Sequence, residues 1–360
     1  MDKIRNMLTM DNSDDYELEN PREIADFSNF GKSNYLEERD LPPIKVYIYG
    51  NYPHFEKSTI YFMFRKHLVD FRGKMTTKFD MGFFWDARMQ LNRKSEKLQE
   101  AIKKRKIRLI NFFLIDTSKD FVGKTVQDYF GYTFTVDPNT YDGYCIAKHN
   151  GNGTKSCFFL KCPINADEIF HDHSYQKIIN YSDKKNKNIL YELRLPIFGN
   201  IIPFAFFKTR NRGLRFTSKN KLMEIVPADK HLSPDELNQI LGYCQKVGFE
   251  CGEIDVLRHD EDGKIYIIDI NNTSWWPPNK LFEVKRNIAL NMMWNAWLEY
   301  FLPDKFTDYH IPDSNIDDYV SSTDEKVNYR QRMAISYNEF KFVGSKKSNL
   351  DFFKAASKIL

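Results

Sequence analysis

Apolar and polar residues alternate over Ile44-Lys45-Val46-Tyr47-Ile48-Tyr49 and stop at Gly50, the pattern of a first strand. Phe79-Asp80-Met81-Gly82-Phe83-Phe84-Trp85 is aromatic-rich and predicts another strand or strand edge. Residues 93–106 are dominated by Lys, Arg and Glu around a spaced Leu98 and Ile102, which predicts a solvated helix, and residues 107–113 return to a strand pattern. Strands alternating with helices argue for a small parallel α/β domain. From about residue 130 to 210 the pattern changes. Short apolar runs at 144–147, 157–160, 189–191 and 201–207 are separated by Gly, Pro and Asn and predict an antiparallel sheet.

Ser233-Pro234-Asp235-Glu236 opens a helix, with Ser as N-cap, Pro at the first helical position and Glu three residues on to bond back to the cap. Leu237, Ile240, Leu241, Cys244 and Val247 follow at the spacing of one helix face, and Gly248 ends it. Residues 254–257 and 265–270 predict two strands. A helix from Leu281 to Leu302 is apolar on most faces and therefore expected to be buried, with Trp294 and Trp297 in the core. Beyond Pro303 there is no strong pattern until a short helix near the end. No internal repeat is present, and no run of about 18 apolar residues that would span a membrane.

The two strands around 254–270 carry the chemistry. They flank Asp260-Glu261-Asp262-Gly263, a hairpin loop in which Gly263 suits the left-handed position. With the loop centred on residue 262, Asp255 and Asp269 are cross-strand partners, and Asn271 lies on the same face. Facing carboxylates repel, more so when buried, and a divalent cation removes that cost. Oxygen ligands from Asp, Asp and Asn suit Mg2+ completed by substrate phosphates. The bland alternative is a solvent-facing edge hairpin.

Charge adds one distinction. The chain of 360 residues has 53 Lys+Arg against 49 Asp+Glu, a net +4, and is 42% hydrophobic. Residues 1–41 carry −6 and residues 303–360 are neutral, so the middle carries +10. A basic body suits an anionic ligand, without saying which. The start has no secretory signal, and the odd count of five cysteines fits free thiols in a reducing, cytoplasmic compartment rather than a disulfide framework. Cysteine spacing does not suit structural zinc. His171-Asp172-His173 reads as a surface turn rather than a metal site.

Asp255 followed by Asp269-Ile270-Asn271, with Gly252-Glu253-Ile254-Asp255-Val256 on the first strand, resembles the metal motif of the ATP-grasp superfamily, and of the D-alanine–D-alanine ligases in particular. The resemblance implies an α/β (α+β) ATP-grasp fold with a preceding small parallel domain and a nucleotide bound between two α+β subdomains. It implies ATP and two Mg2+ ions, with Mn2+ as the alternative, held by Asp255, Asp269 and Asn271. Ligases of that group often have Arg where this chain has Glu253, so Arg258 or another base must supply that charge. Lys148 before the flexible Gly151 and Gly153 loop is similar to the family's lysine at the phosphates, and Lys119 (Lys124 less well) to its first lysine. Gln176, Lys177 and Ile178 are similar to the adenine hinge, with Asn180 near the ribose. Glu192-Leu193-Arg194-Leu195-Pro196 and Phe207-Lys208-Thr209-Arg210 bring alternating charge, and Lys208 and Arg210 share a strand face as candidates to neutralise a transferring phosphoryl group. Thr273-Ser274-Trp275-Trp276 stands where relatives line the acceptor site, or packs under the long helix.

The expected organisation is an acidic, flexible leader (1–41), a parallel α/β domain (42–118), a lid subdomain (119–175), a second subdomain carrying the hairpin (176–302) and a tail (303–360). The expected function is a carboxylate–amine ligase working through an acylphosphate on a small-molecule or glycan acceptor. The alternatives are a kinase on the same fold acting on a polyol, sugar or inositol phosphate, and a non-enzymatic basic module. Nucleic acid is not the expected partner, and oligomeric state is left open.

Overall fold

The computed structural model describes residues 36, 39–49, 58–67, 69–72, 81–84, 108–150, 157–183, 186–212, 222–272, 281 and 283–312. The expected helix at 93–106, Gly151, Gly153, the Trp275-Trp276 segment and most of the leader and tail lie outside these residues.

The first unit is parallel, as its alternating pattern predicts. Strand β1 (Ile44–Tyr49) leads to helix α1 (Thr59–Lys66), β2 (Val69–Arg72), β3 (Met81–Phe84) and β4 (Arg108–Ile110). The strand order is β2-β1-β3-β4, with every pairing parallel. Strand β4 is shorter than its apolar run because Asn111 takes a left-handed φ of 57° and turns the chain. Leu36, inside the acidic leader, is buried in the same cluster as Ile44, Val46 and Phe64.

Helix α2 (Lys119–Phe130) follows, capped by Ser118 and ended by Gly131. Strands β5 (Gly143–His149), β6 (Cys157–Cys162) and β7 (His173–Lys177) form a three-stranded antiparallel sheet, ordered β6-β5-β7. Then come β8 (Ile189–Phe198), β9 (Ala205–Asn211), β10 (Leu222–Val226), α3 (Pro234–Val247), β11 (Cys251–Arg258) and β12 (Ile265–Asn271), and these five strands make an antiparallel sheet ordered β10-β9-β8-β11-β12. The single sheet expected for 130–210 is thus two. Strand β9 starts later than its apolar run, because residues 198–201 form a tight turn and Pro203 offers no N–H to a ladder.

Helix α3 has the expected ends: Ser233 Oγ accepts from the Glu236 N–H, Glu236 accepts from the Ser233 N–H, and Gly248 takes φ 74°. Its face of Ile240, Tyr243, Cys244 and Val247 packs on Leu193, Leu195, Ile197, Ile254 and Ile270 of the large sheet. Each such side chain taken out of water contributes about 1.5–3 kcal/mol. Helix α4 (Glu283–Phe301) lies between α1 and strands β8 and β10, so the parallel unit and the large sheet share a core around the stacked Trp294 and Trp297. Helix α5 (Pro303–Tyr309) follows where the sequence shows no pattern; at seven residues it is too short to display a period, and Tyr309 is buried against α4.

Candidate active site

One face of the large sheet is apolar and takes α3. The other packs on α4 through Phe198, Phe206, Met223, Ile225 and Cys251 and elsewhere carries charge, because acids and bases fall on alternate positions of its strands. Glu192 and Arg194 share a face of β8, Lys208 and Arg210 of β9, Glu253 and Asp255 of β11, and Asp269 and Asn271 of β12. The registers line them up: Glu192 is opposite Lys208, Arg194 opposite Asp255, and Asp255 opposite Asp269.

The Asp255–Asp269 pairing is as the hairpin predicts, by a route the sequence does not show. Val256, Leu257 and Arg258 pair with Ile267, Tyr266 and Ile265, one residue out of step with the acid pair, and a bulge between Asp255 and Val256 restores it. Gly263 closes the loop at φ 71°.

Each acid meets a base. Arg194 grips Asp255 side-on, Nε to Oδ1 at 2.7 Å and Nη2 to Oδ2 at 2.8 Å, and Lys208 Nζ reaches Oδ1 at 3.1 Å. Lys208 also donates to Glu192 Oε1 at 2.7 Å, and Arg210 to Glu192 Oε2 at 2.9 Å. Arg194 Nη1 lies 3.4 Å from Glu253 Oε2. Lys119 Nζ, at the first turn of α2, pairs with Asp269. Burial alone would raise the Asp255 carboxyl, but Arg194 and then Lys208 outweigh it and hold it well below the usual carboxylate range. At Glu253 burial wins over Arg194 and Lys208, and the carboxyl is pushed up.

Ion pairs this dry cost desolvation that their attraction only partly offsets, so stability alone is a poor reason to keep them. Among the ion-paired side chains of the cluster, water reaches Asp269 (25% exposed), Arg194 (21%) and Lys119 (14%) most. They form the water-accessible edge of the cluster.

The small sheet carries polar side chains on one of its faces. Cys145, Ala147, Leu160, Cys162 and Tyr175 fill its apolar face. Ile146, Lys148, Ser174 and Gln176 alternate onto the opposite face, Ile146 opposite Gln176 and Lys148 opposite Ser174. Ser174 Oγ and Gln176 Nε2 are buried and have no hydrogen-bond partner among the described residues. The two sheets are tied at one end: the Lys119 N–H donates to the Asn150 carbonyl just past β5, while the same residue's Nζ meets Asp269 on β12. At the end of β7, Lys177 Nζ comes within 3.4 Å of the Tyr266 hydroxyl; beyond it Ile178 is half-buried, and the Asn180 carbonyl accepts from the Asp260 N–H at the tip of the hairpin.

The structure therefore brings Lys119, Lys208, Arg210, Asp255, Asp269 and Asn271 to one cluster, while Lys148 and Gln176 share a face of the small sheet. Arg258 is not among them. It lies on the α3 side of the sheet, bidentate to Glu236 (2.6 and 2.8 Å) and donating to the carbonyls of His231 and Gly263, which fixes the end of the hairpin. The base beside Glu253 is instead Arg194. Its sequence signal is a charged pair, Glu192 and Arg194, at alternate positions of an apolar strand; what it touches depends on β8 lying next to β11, which spacing along the chain does not reveal.

Among the described residues no three His, Cys, Asp or Glu side chains group as a metal centre. The donor set fits a hard cation brought with phosphates: two carboxylates and an amide on one face, with Oδ2 of Asp255 taking a single hydrogen bond among the described residues and so keeping a lone pair. Asp172, in an exposed turn, pairs with His173 (2.6 Å) and His149 (3.4 Å).

No family model matches the chain, and no curated protein matches it. Solved structures do. One is the D-alanine–D-alanine ligase of Bacillus anthracis complexed with ATP, at 12% identity over 74% of this chain and 100% of that one, with a TM-score of 0.46. The chain is similar to ATP-grasp ligases. Another is the ATP-grasp ligase PsnB complexed with a phosphomimetic variant of a minimal precursor, Mg and ADP, at 13% identity over 72% and 99% of the two chains, TM-score 0.43. A third is the L-amino acid ligase of Bacillus licheniformis, at 10% identity over 72% and 74%, TM-score 0.40. No helix among the described residues is long and apolar enough to cross a membrane.

Proposed function

We propose that this site binds MgATP and that the protein is an ATP-dependent carboxylate–amine ligase. The observation that carries this is the facing pair Asp255 and Asp269, each neutralised by a base. Like charges set opposite each other on a partly buried sheet face are costly, and here they are kept. Asp255, Asp269 and Asn271 would hold Mg2+, with Mn2+ able to replace it, and the ion would neutralise phosphate charge.

Lys148, Ser174 and Gln176 supply a cation and two donors from the small sheet to the phosphates and base, and residues 177–180 run beside the hairpin where base and ribose lie. Lys119, Lys208 and Arg210 offset the charge that builds as the terminal phosphoryl group moves to a substrate carboxylate, giving an acylphosphate and ADP. An amine then attacks the acyl carbon, phosphate leaves, and the amine proton passes to solvent. A side-chain nucleophile is not required. The acceptor is a small molecule, glycan or peptide-like amine. The bases Lys208, Arg194 and Arg210 are buried against acids rather than displayed as a basic stripe, which disfavours a nucleic-acid module.

The test is to incubate the protein with MgATP and pools of amino acids, sugars and inositol phosphates and to identify products by mass. Amide with ADP and phosphate supports the ligase. A phosphorylated acceptor makes it a kinase, and no nucleotide binding by calorimetry with Mg2+ present overturns both.

A further inference from the structure

Arg194 has five N–H donors. Nε and Nη2 each give one to Asp255, and Nη1 gives one to Glu253. One N–H on each terminal nitrogen remains. A second acid fixes the plane. Glu253 is buried (2% exposed), and on its other side Thr59 Oγ1 lies 3.4 Å from Oε1. Thr59 is the first residue of α1, so Glu253 is held from the parallel unit while it holds Arg194. Of the three cations on the sheet face, Lys208 is closed in at 4% exposure and Arg210 at 10%; Arg194, at 21%, is the one in direct contact with Asp255 that water reaches.

We propose that Arg194 is an oxyanion-binding residue of this site, its remaining N–H donors taking the terminal phosphoryl group of the nucleotide, and that Glu253 is its positioning residue. This rests on the nucleotide reading above and adds to it. On that reading the group to be transferred sits beside Asp255, and a planar guanidinium held by two acids keeps one donor on each terminal nitrogen for phosphoryl oxygens. Lysine cannot reproduce that geometry. The acid at 253 thus serves the site through its neighbour on β8 rather than by touching ligand.

The experiment is calorimetric titration of MgATP and of MgADP into the wild-type chain and into Arg194→Lys, Glu253→Gln and Glu253→Asp, each checked for native circular dichroism. Arg194→Lys is expected to weaken MgATP at least tenfold and to change MgADP less than twofold. Glu253→Gln is expected to shift the ATP-to-ADP ratio in the same direction by a smaller factor, and Glu253→Asp to restore part of it. A merely structural role would move both nucleotides together. Equal changes for both, or none, in variants of a wild type that binds MgATP overturn the proposal. If Arg194→Lys does not fold, the ratio in Glu253→Gln decides it. A wild type that binds neither nucleotide overturns the nucleotide reading itself.

Discussion

The side-chain amide of Asn111 pairs with the main chain of Cys251 as a neighbouring strand would: the Cys251 N–H donates to Oδ1 at 2.9 Å and Nδ2 donates to the Cys251 carbonyl at 2.7 Å. Oδ1 also accepts from the Glu250 N–H, and the Asn111 N–H donates to the Glu250 carboxylate. This buried residue joins the end of the parallel sheet to the first residue of β11, the strand that carries Asp255. Asn111→Ala orphans two buried main-chain groups of Cys251 and the partly buried N–H of Glu250, and is expected to cost about 3 kcal/mol in urea unfolding. A change within ~0.5 kcal/mol, the usual surface value, would show that water replaces the amide.

Asp269 is a quarter exposed and its described partner is Lys119. Asp269→Asn keeps the shape and removes the charge that faces Asp255. The expected result is a loss of ATP turnover of about 100-fold or more, the scale of one electrostatic contact to a transferring group, with the melting temperature nearly unchanged. Undiminished turnover in this variant would defeat the metal assignment.

Two glycines separate backbone strain from steric contact. Gly131 and Gly248 both end helices at φ 74°. A Cβ at Gly131 meets nothing within 4 Å, whereas at Gly248 it comes 2.6 Å from the Phe113 main-chain carbon. Gly131→Ala is expected to cost about 1 kcal/mol, the left-handed penalty alone. Gly248→Ala should cost clearly more, because backbone must move. Equal losses in chemical denaturation would mean that residues 113–114 give way freely.

Lys66 donates to Asn287 at 2.9 Å, and burial lowers its ammonium from 10.5 to about 8. Between about pH 8 and 10.5 the unfolded chain keeps a proton that the folded chain has lost, so this group makes stability rise with pH across that window. Lys66→Met removes the rise. The stability of wild type minus that of Lys66→Met should therefore increase from pH 7.5 to pH 10.5; a flat difference would place Lys66 in water.

Local chemistry explains what the chain shows without its fold. The cap Ser233, Pro234 and Glu236 and the stop at Gly248 define α3, since capping groups act within one turn. The core placing of Trp294 and Trp297 follows from an all-round apolar helix. Strand ends were less legible. Asn111 stops β4 early and Pro203 delays β9, each by backbone geometry that an apolar run does not display.

The sequence by itself determined the acid pair. A hairpin loop fixes partners by distance from its turn, so the order of residues alone sets Asp255, Asp269 and Asn271 on one face, and even the bulge restores that register. Only the tertiary structure decided which bases stand beside them. Arg194 meets Asp255 because β8, sixty residues earlier, lies next to β11, and Lys119 meets Asp269 because α2 docks against β12. It also removed Arg258, a base close in sequence to the acids but drawn through the sheet to Glu236. Adjacency between distant strands is set by the burial of their shared apolar face against α3, and that is a property of the packed whole.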